Sequence, residues 1–174
     1  MKYFVKFFVV TFFLIFCTHL LAQDKIAVMD LKYVLNESKA GKGAQDFLKK
    51  SYNDKVKKYS EMEKALKKEE ADLLAKKTVL NKDEYQKKAD ALRKKVIDYQ
   101  SERRAGLDKI GTQRSEARQI LLKSINPIVD AYIKENNISV VIDKKNTIGG
   151  KVENDITKTI IEKLDKVLPS INLK

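Results

Sequence analysis

Side chains able to carry covalent or acid–base chemistry are scarce in this 174-residue chain. It has one Cys, Cys17, one His, His19, and no Trp. Both Cys17 and His19 fall inside an apolar N-terminal run. Without them there is no thiol nucleophile, no histidine base, no Ser-His-Asp triad and no His/Cys zinc site. Glu69, Glu70 and Asp72 cluster along the sequence. On a helix they spread around the surface, so no metal site is expected there. Asp155 precedes an apolar-periodic run and reads as a helix cap rather than an acid catalyst. The chain holds no Gly-rich phosphate loop and no readable carboxylate pair. The expectation is a non-enzyme with no catalytic residue, no cofactor and no metal.

The N-terminal run has the layout of a secretory signal peptide. Lys2 and Lys6 supply positive charge, the stretch from Phe7 to Phe16 is apolar apart from Thr11, and Leu20-Leu21-Ala22 ends on a small residue. The apolar part is shorter than the roughly 20 residues a membrane span needs. Cleavage is expected near Ala22, leaving a soluble chain from Gln23. Lipid attachment at Cys17 is disfavoured because bulky Phe16, not a small residue, precedes it. The remaining chain has neither Cys nor His, which excludes disulfides, and removing Lys2 and Lys6 takes the net charge from +12 to +10.

The elements that must carry any function are mainly helical. Residues 25–30, Lys25-Ile26-Ala27-Val28-Met29-Asp30, read as a strand, and Asp30 is placed to cap a short helix through Tyr33, Val34 and Leu35. Gly41 and Gly43 mark a bend or a helix start. Residues 44–125 contain no Pro and are rich in helix formers. Ala44, Leu48, Tyr52, Val56, Tyr59, Met62, Leu66 and Leu73 recur at helical spacing. Tyr85, Ala89, Leu92, Val96, Tyr99, Ile110, Ala117 and Ile120 follow a coiled-coil seam on which Arg103, Gly106 and Gln113 also fall.

Residues 78–83 are the weakest helical stretch, with Thr78 and Val79 β-branched and Asp83 available as a cap. The expectation is an antiparallel hairpin arm with its tip near 78–83 and helices of roughly 60 Å; the alternative is one continuous helix of about 120 Å. Asn126-Pro127 should break or restart the second helix, giving a short helix of its own. Residues 138–143 form the best strand, 146–148 a further short one, Gly149-Gly150 a turn, and 155–168 a last helix stopped by Pro169.

Residues 1–22 are thus a leader, 23–43 and 126–174 two parts of one small head, and 44–125 an arm inserted between them. Two or three short strands make a marginal sheet, so other copies of the chain are expected to complete the head. The candidate interface is Ile26, Val28, Val140, Val141, Ile142 and Ile148, and the candidate hinges are Gly41, Gly43, Asn126 and Pro127.

A leader, the first strand, Val34-Leu35-Asn36-Glu37-Ser38-Lys39-Ala40-Gly41-Lys42, a long charged hairpin, residues 138–143 and Asp155-Ile156-Thr157 follow one another in that order. This pattern resembles the Skp/OmpH family of periplasmic chaperones for outer-membrane proteins. The resemblance implies a mainly α fold with a small β part (α+β) and a jellyfish-like homotrimer. Its β-barrel body would carry three helical tentacles around a cavity that holds unfolded outer-membrane proteins without ATP. Binding to lipopolysaccharide is associated with the family, but no Lys/Arg motif here assigns it, or an anionic membrane surface, to particular residues.

Residues 44–124 carry 22 basic and 14 acidic side chains, a net +8 that suits acidic clients and draws them in. Tyr52, Tyr59 and Met62 on the stripe, and Leu73, Leu74, Val79 and Leu80 near the tip, are the candidate client contacts. The same stripe also fits a plain seam between antiparallel helices. A structural coiled-coil spacer or adaptor of the cell envelope is the rival function. Nucleic-acid binding is not expected, since the leader argues for export and the basic residues lack interleaved aromatics.

Overall fold

The computed structural model describes residues 25–173. The expected leader, with Cys17, His19 and the cleavage site at Ala22, lies outside the described residues. Strand β1 (Lys25–Met29) leads to helix α1 (Leu31–Glu37), then to the long helices α2 (Lys39–Ala75) and α3 (Lys82–Glu135). Strand β2 (Ile138–Asp143), two single 3₁₀ turns and helix α4 (Thr157–Val167) complete the chain. The fold is mainly α with a small β part.

The long helices form the antiparallel hairpin, not one continuous rod. At 1.5 Å per residue the 37-residue α2 spans about 55 Å and the 54-residue α3 about 80 Å. Each of the first three helices starts at a side-chain cap. Asp30 accepts from the Tyr33 amide at 2.8 Å, as expected. Buried Ser38 accepts from the Gly41 amide at 3.2 Å, and the Lys39 amide donates to Asp165 at 2.7 Å. The arm therefore begins at Lys39, earlier than residue 44. Asn81, not Asp83, caps α3, accepting from the Glu84 amide at 2.9 Å. Asp83 sits in the first turn, where its charge favours the helix dipole.

Contrary to the expectation from the sequence, Pro127 does not break the second helix and no separate short helix follows it: α3 runs through to Glu135. Proline removes one backbone bond, but Leu121 and Ile125 are buried before it, and Ile128, Val129, Tyr132 and Ile133 pack on the same core after it. Tertiary packing on both sides outweighs the missing bond. Asn136 and Asn137 end α3, with the Asn136 amide bonded to the Tyr132 carbonyl and Asn137 at a φ of 52°.

The two strands pair in parallel, with Ile26 opposite Val140 and Val28 opposite Ile142 after an irregularity at Lys25/Ile26. Parallel neighbours require a crossover, and here the whole arm is inserted in it. The core-facing side carries Ala27, Met29 and Val141, packed with Val34, Leu35, Ala40, Ile156, Ile160 and Leu164. The expected strand at 146–148 is absent: Lys144–Asn146 is a 3₁₀ turn, held as Asp143 accepts from the Lys145 amide.

Candidate functional site

Along the arm the apolar stripe is closed at the base and half open towards the tip. Ala44 and Leu48 are buried with Ile110 and Ala117. Further out, Tyr59 is only 4% exposed. Its hydroxyl donates to the Glu102 carbonyl at 3.0 Å, and its ring stands edge-on to Tyr99 at 6.4 Å. The socket is Gly106: a Cβ there would lie 1.9 Å from the Tyr59 hydroxyl. Gly106 falls on the seam of the sequence pattern, which was the available signal for this socket. Tyr59 is therefore a seam residue in the single chain and not an open client contact.

Ion pairs lace the outer rim. Lys58 reaches Glu102 across the hairpin, Lys95 reaches Glu69 at 2.6 Å, and Lys67 pairs with Glu63 at 2.8 Å along α2. The hydrogen bond and charge of Glu102 hold the Lys58 ammonium above the usual lysine value. The bond from Lys67 holds the Glu63 carboxyl below its usual value. These groups are solvated, so the pairs tune the surface rather than the fold. Glu69, from the acidic cluster, is thus an ion-pair partner.

Of the other candidate contacts, Tyr52 is half exposed and Met62, Leu73 and Leu80 are partly buried. Leu74 and Val79 stand out at 63% and 82% exposure. Ile97, which the sequence pattern passed over, is also exposed. Between the helices near the tip runs an open groove of about 850 Å³, walled by Leu66, Leu73, Tyr85, Leu92, Val96 and Tyr99. Arg93, Lys67 and Arg103 lie on its rim with Glu63 and Glu70. Such a cleft takes apolar side chains, and the net positive surface around it attracts acidic chains.

The head presents a second apolar surface. Strand residues alternate between faces. Ile26 and Val140, opposite one another, are 45% and 44% exposed on the face turned away from the core, and Val28 and Ile142 extend that face. Of the six candidate interface residues, Val141 lies instead on the core-facing side, and Ile148 is fully exposed in a loop outside the sheet. Of the candidate hinges, Gly41 is buried at a close approach: a Cβ would lie 2.0 Å from the Leu35 carbonyl oxygen. Gly43 is exposed within α2, and Asn126 and Pro127 are exposed within α3.

Asp155 works just ahead of α4. It accepts from the Thr157 amide at 3.0 Å and from the Thr157 hydroxyl, and Lys144 binds it at 2.7 Å. The Asp30 amide in turn donates to the Thr157 hydroxyl oxygen at 2.9 Å, so the network ties the end of β1 to α4. Partial burial pushes the Asp155 carboxyl up, but Lys144 and Thr157 outweigh this and hold it below its ordinary value. The cap position of α4 is held by Ile156 without a side-chain bond, so Asp155 is not the helix cap expected from the sequence but part of the framework of the head.

The family model described as outer membrane protein (OmpH-like) matches residues 25–164. The chain belongs to the OmpH-like family. A search of the curated proteins found no match. Among solved structures, the OmpH-like chain is similar to a candidate outer membrane chaperone (OmpH-like) from Caulobacter crescentus CB15, with a TM-score of 0.79 and 20% identity over 89% of this chain and 92% of that one. At that identity the likeness is one of fold. Among the described residues, no helix of the OmpH-like chain is long and apolar enough to cross a membrane.

Proposed function

We propose that this protein is an ATP-independent holdase chaperone of the periplasm, freed from its leader near Ala22. It binds unfolded outer-membrane β-barrel proteins between basic helical arms and keeps them from aggregating. The observation that carries this reading is the half-open apolar stripe of the arm, with Leu74 and Val79 standing free at its tip. An unfolded barrel strand alternates apolar and polar residues and aggregates before insertion. Spaced Tyr, Met and Leu side chains give many weak contacts without selecting one sequence. Family membership and the fold shared with the Caulobacter chaperone support the reading.

The protein acts as a homotrimer in this account. Copies would pair along the strand edges, and the apolar face of Ile26, Val28, Val140 and Ile142 would then be covered inside the shared barrel. Three arms, each with a net +8, then surround one space, and their mutual repulsion holds it open. A structural spacer of the envelope would share the arms but not the affinity for unfolded chains.

The discriminating experiment dilutes a urea-unfolded outer-membrane barrel protein into the chain starting at Gln23 and follows turbidity. The holdase reading expects suppression without nucleotide, and capture that slows about tenfold between low and half-molar salt. A client that aggregates as fast as in buffer alone supports the spacer instead.

A further inference from the structure

Residues 169–173 follow α4 and lie beyond residue 164, where the family match ends. They run back to the base of the arm. Leu173 is buried in one cluster with Ala44 and Leu48 of α2 and Ile110 and Ala117 of α3. Ile171 packs on this cluster and on the head core as well. Asn172 between them is exposed, so the segment alternates apolar, polar, apolar. Among the described residues, no hydrogen bond holds residues 169–173.

These observations have one chemistry in common. A groove on the arm accepts side chains spaced two residues apart, on a segment whose described residues make no backbone bond to it. An unfolded outer-membrane strand presents the same alternation along its whole length. We infer that the groove of Ala44, Leu48, Ile110 and Ala117 is a binding site for extended alternating apolar/polar segments, and that residues 169–173 fill it as an internal surrogate which a client displaces. The inference rests on the chaperone reading and adds a second contact region, at the base of the arm, to the open stripe at its tip.

The surrogate is built to leave. Burial of two side chains favours docking, while the ordering of five residues opposes it. A segment that occupies the groove part of the time lowers the apparent affinity for a client by the fraction of sites it covers. It also shields the base seam in the empty chaperone, where bare apolar surface would invite association between copies.

The test compares the full chain, Leu173→Asp, and a chain ending at Leu168. The probe is a fluorescently labelled, urea-unfolded eight-stranded outer-membrane barrel protein, read by anisotropy. Both variants should bind it about three- to tenfold more tightly than the full chain. In the full chain, client binding should slow hydrogen exchange at residues 44–48 and 110–117. Leu173→Asp keeps Ile171 on the head, so its helicity serves as the folding control. Equal affinity for all three chains, with protection confined to the tip, overturns the inference and leaves the segment a structural brace. No binding by any of the three overturns the chaperone reading and this inference with it.

Discussion

Tyr59 and Gly106 meet so closely that one oxygen decides how the arm packs. Gly106→Ala places a Cβ where the Tyr59 hydroxyl now lies, 1.9 Å away, and should destabilise the chain by about 1 kcal/mol, the low end of overpacking costs. In a Tyr59→Phe background that oxygen is gone. The same substitution should then be neutral or stabilising by up to about 1 kcal/mol, the helix preference of Ala over Gly. A double-mutant cycle of urea midpoints reads the reversal of sign. Asp155 gives a pH-dependent counterpart. Its folded carboxyl lies below the ordinary value of 3.8, so the stability it contributes is complete above that pH and is lost as the pH falls through the lowered folded value. Asp155→Asn keeps an acceptor for Thr157 but drops the charge facing Lys144. It should cost about 1 kcal/mol at pH 7, with the difference from the parent vanishing in acid. Residue chemistry of this kind was partly legible in the sequence: Asp30 was readable as a cap because Asx chemistry is local, whereas Asp155 lies one residue ahead of the cap position, which Ile156 holds. The Tyr59 socket was only hinted at by Gly106 on the seam, because placing it needs the register of two helices.

Among the elements, the hairpin was readable from periodicity and from the weak stretch at Thr78 and Val79. Its bounds were not. Pro127 carries a strong local signal for a break, yet the core contacts of Ile125, Ile128 and Val129 override it. The missing strand at 146–148 was a β-branched pair, Thr147-Ile148, judged by propensity alone; Asp143 turns the chain there instead. The seam also slipped by one position near the base, where Leu121 is buried and Ile120 exposed. Of the candidate contacts at the tip, Leu74 and Val79 have little cover, while Leu73 and Leu80 are partly buried. Replacing Leu74 and Val79 together with Ser should weaken client binding about five- to tenfold, equal to about 1 to 1.4 kcal/mol, because neither side chain supports the fold. Circular dichroism should be unchanged. A loss of helicity instead would place those side chains in the arm's own packing.

For the whole molecule, thinness is the governing fact. A two-stranded sheet with an apolar outer face is incomplete by itself. The sequence signalled this through its few head residues, but not which strand residues face outward, because that depends on the pairing register of β1 and β2. Val140, exposed on the outer face, is the proposed interface position at which a charge should disturb assembly without touching the fold. Val141 is not, since it packs on its own core. Val140→Asp should reduce the assembly to single chains by sedimentation while the long helices persist; an unchanged mass would place the interface elsewhere. The most direct measurement is native mass by light scattering on the chain starting at Gln23, alone and after addition of an unfolded outer-membrane barrel protein. The expected result is a mass of three chains that rises by one soluble client. A defined oligomer whose mass does not change while the client precipitates would contradict it.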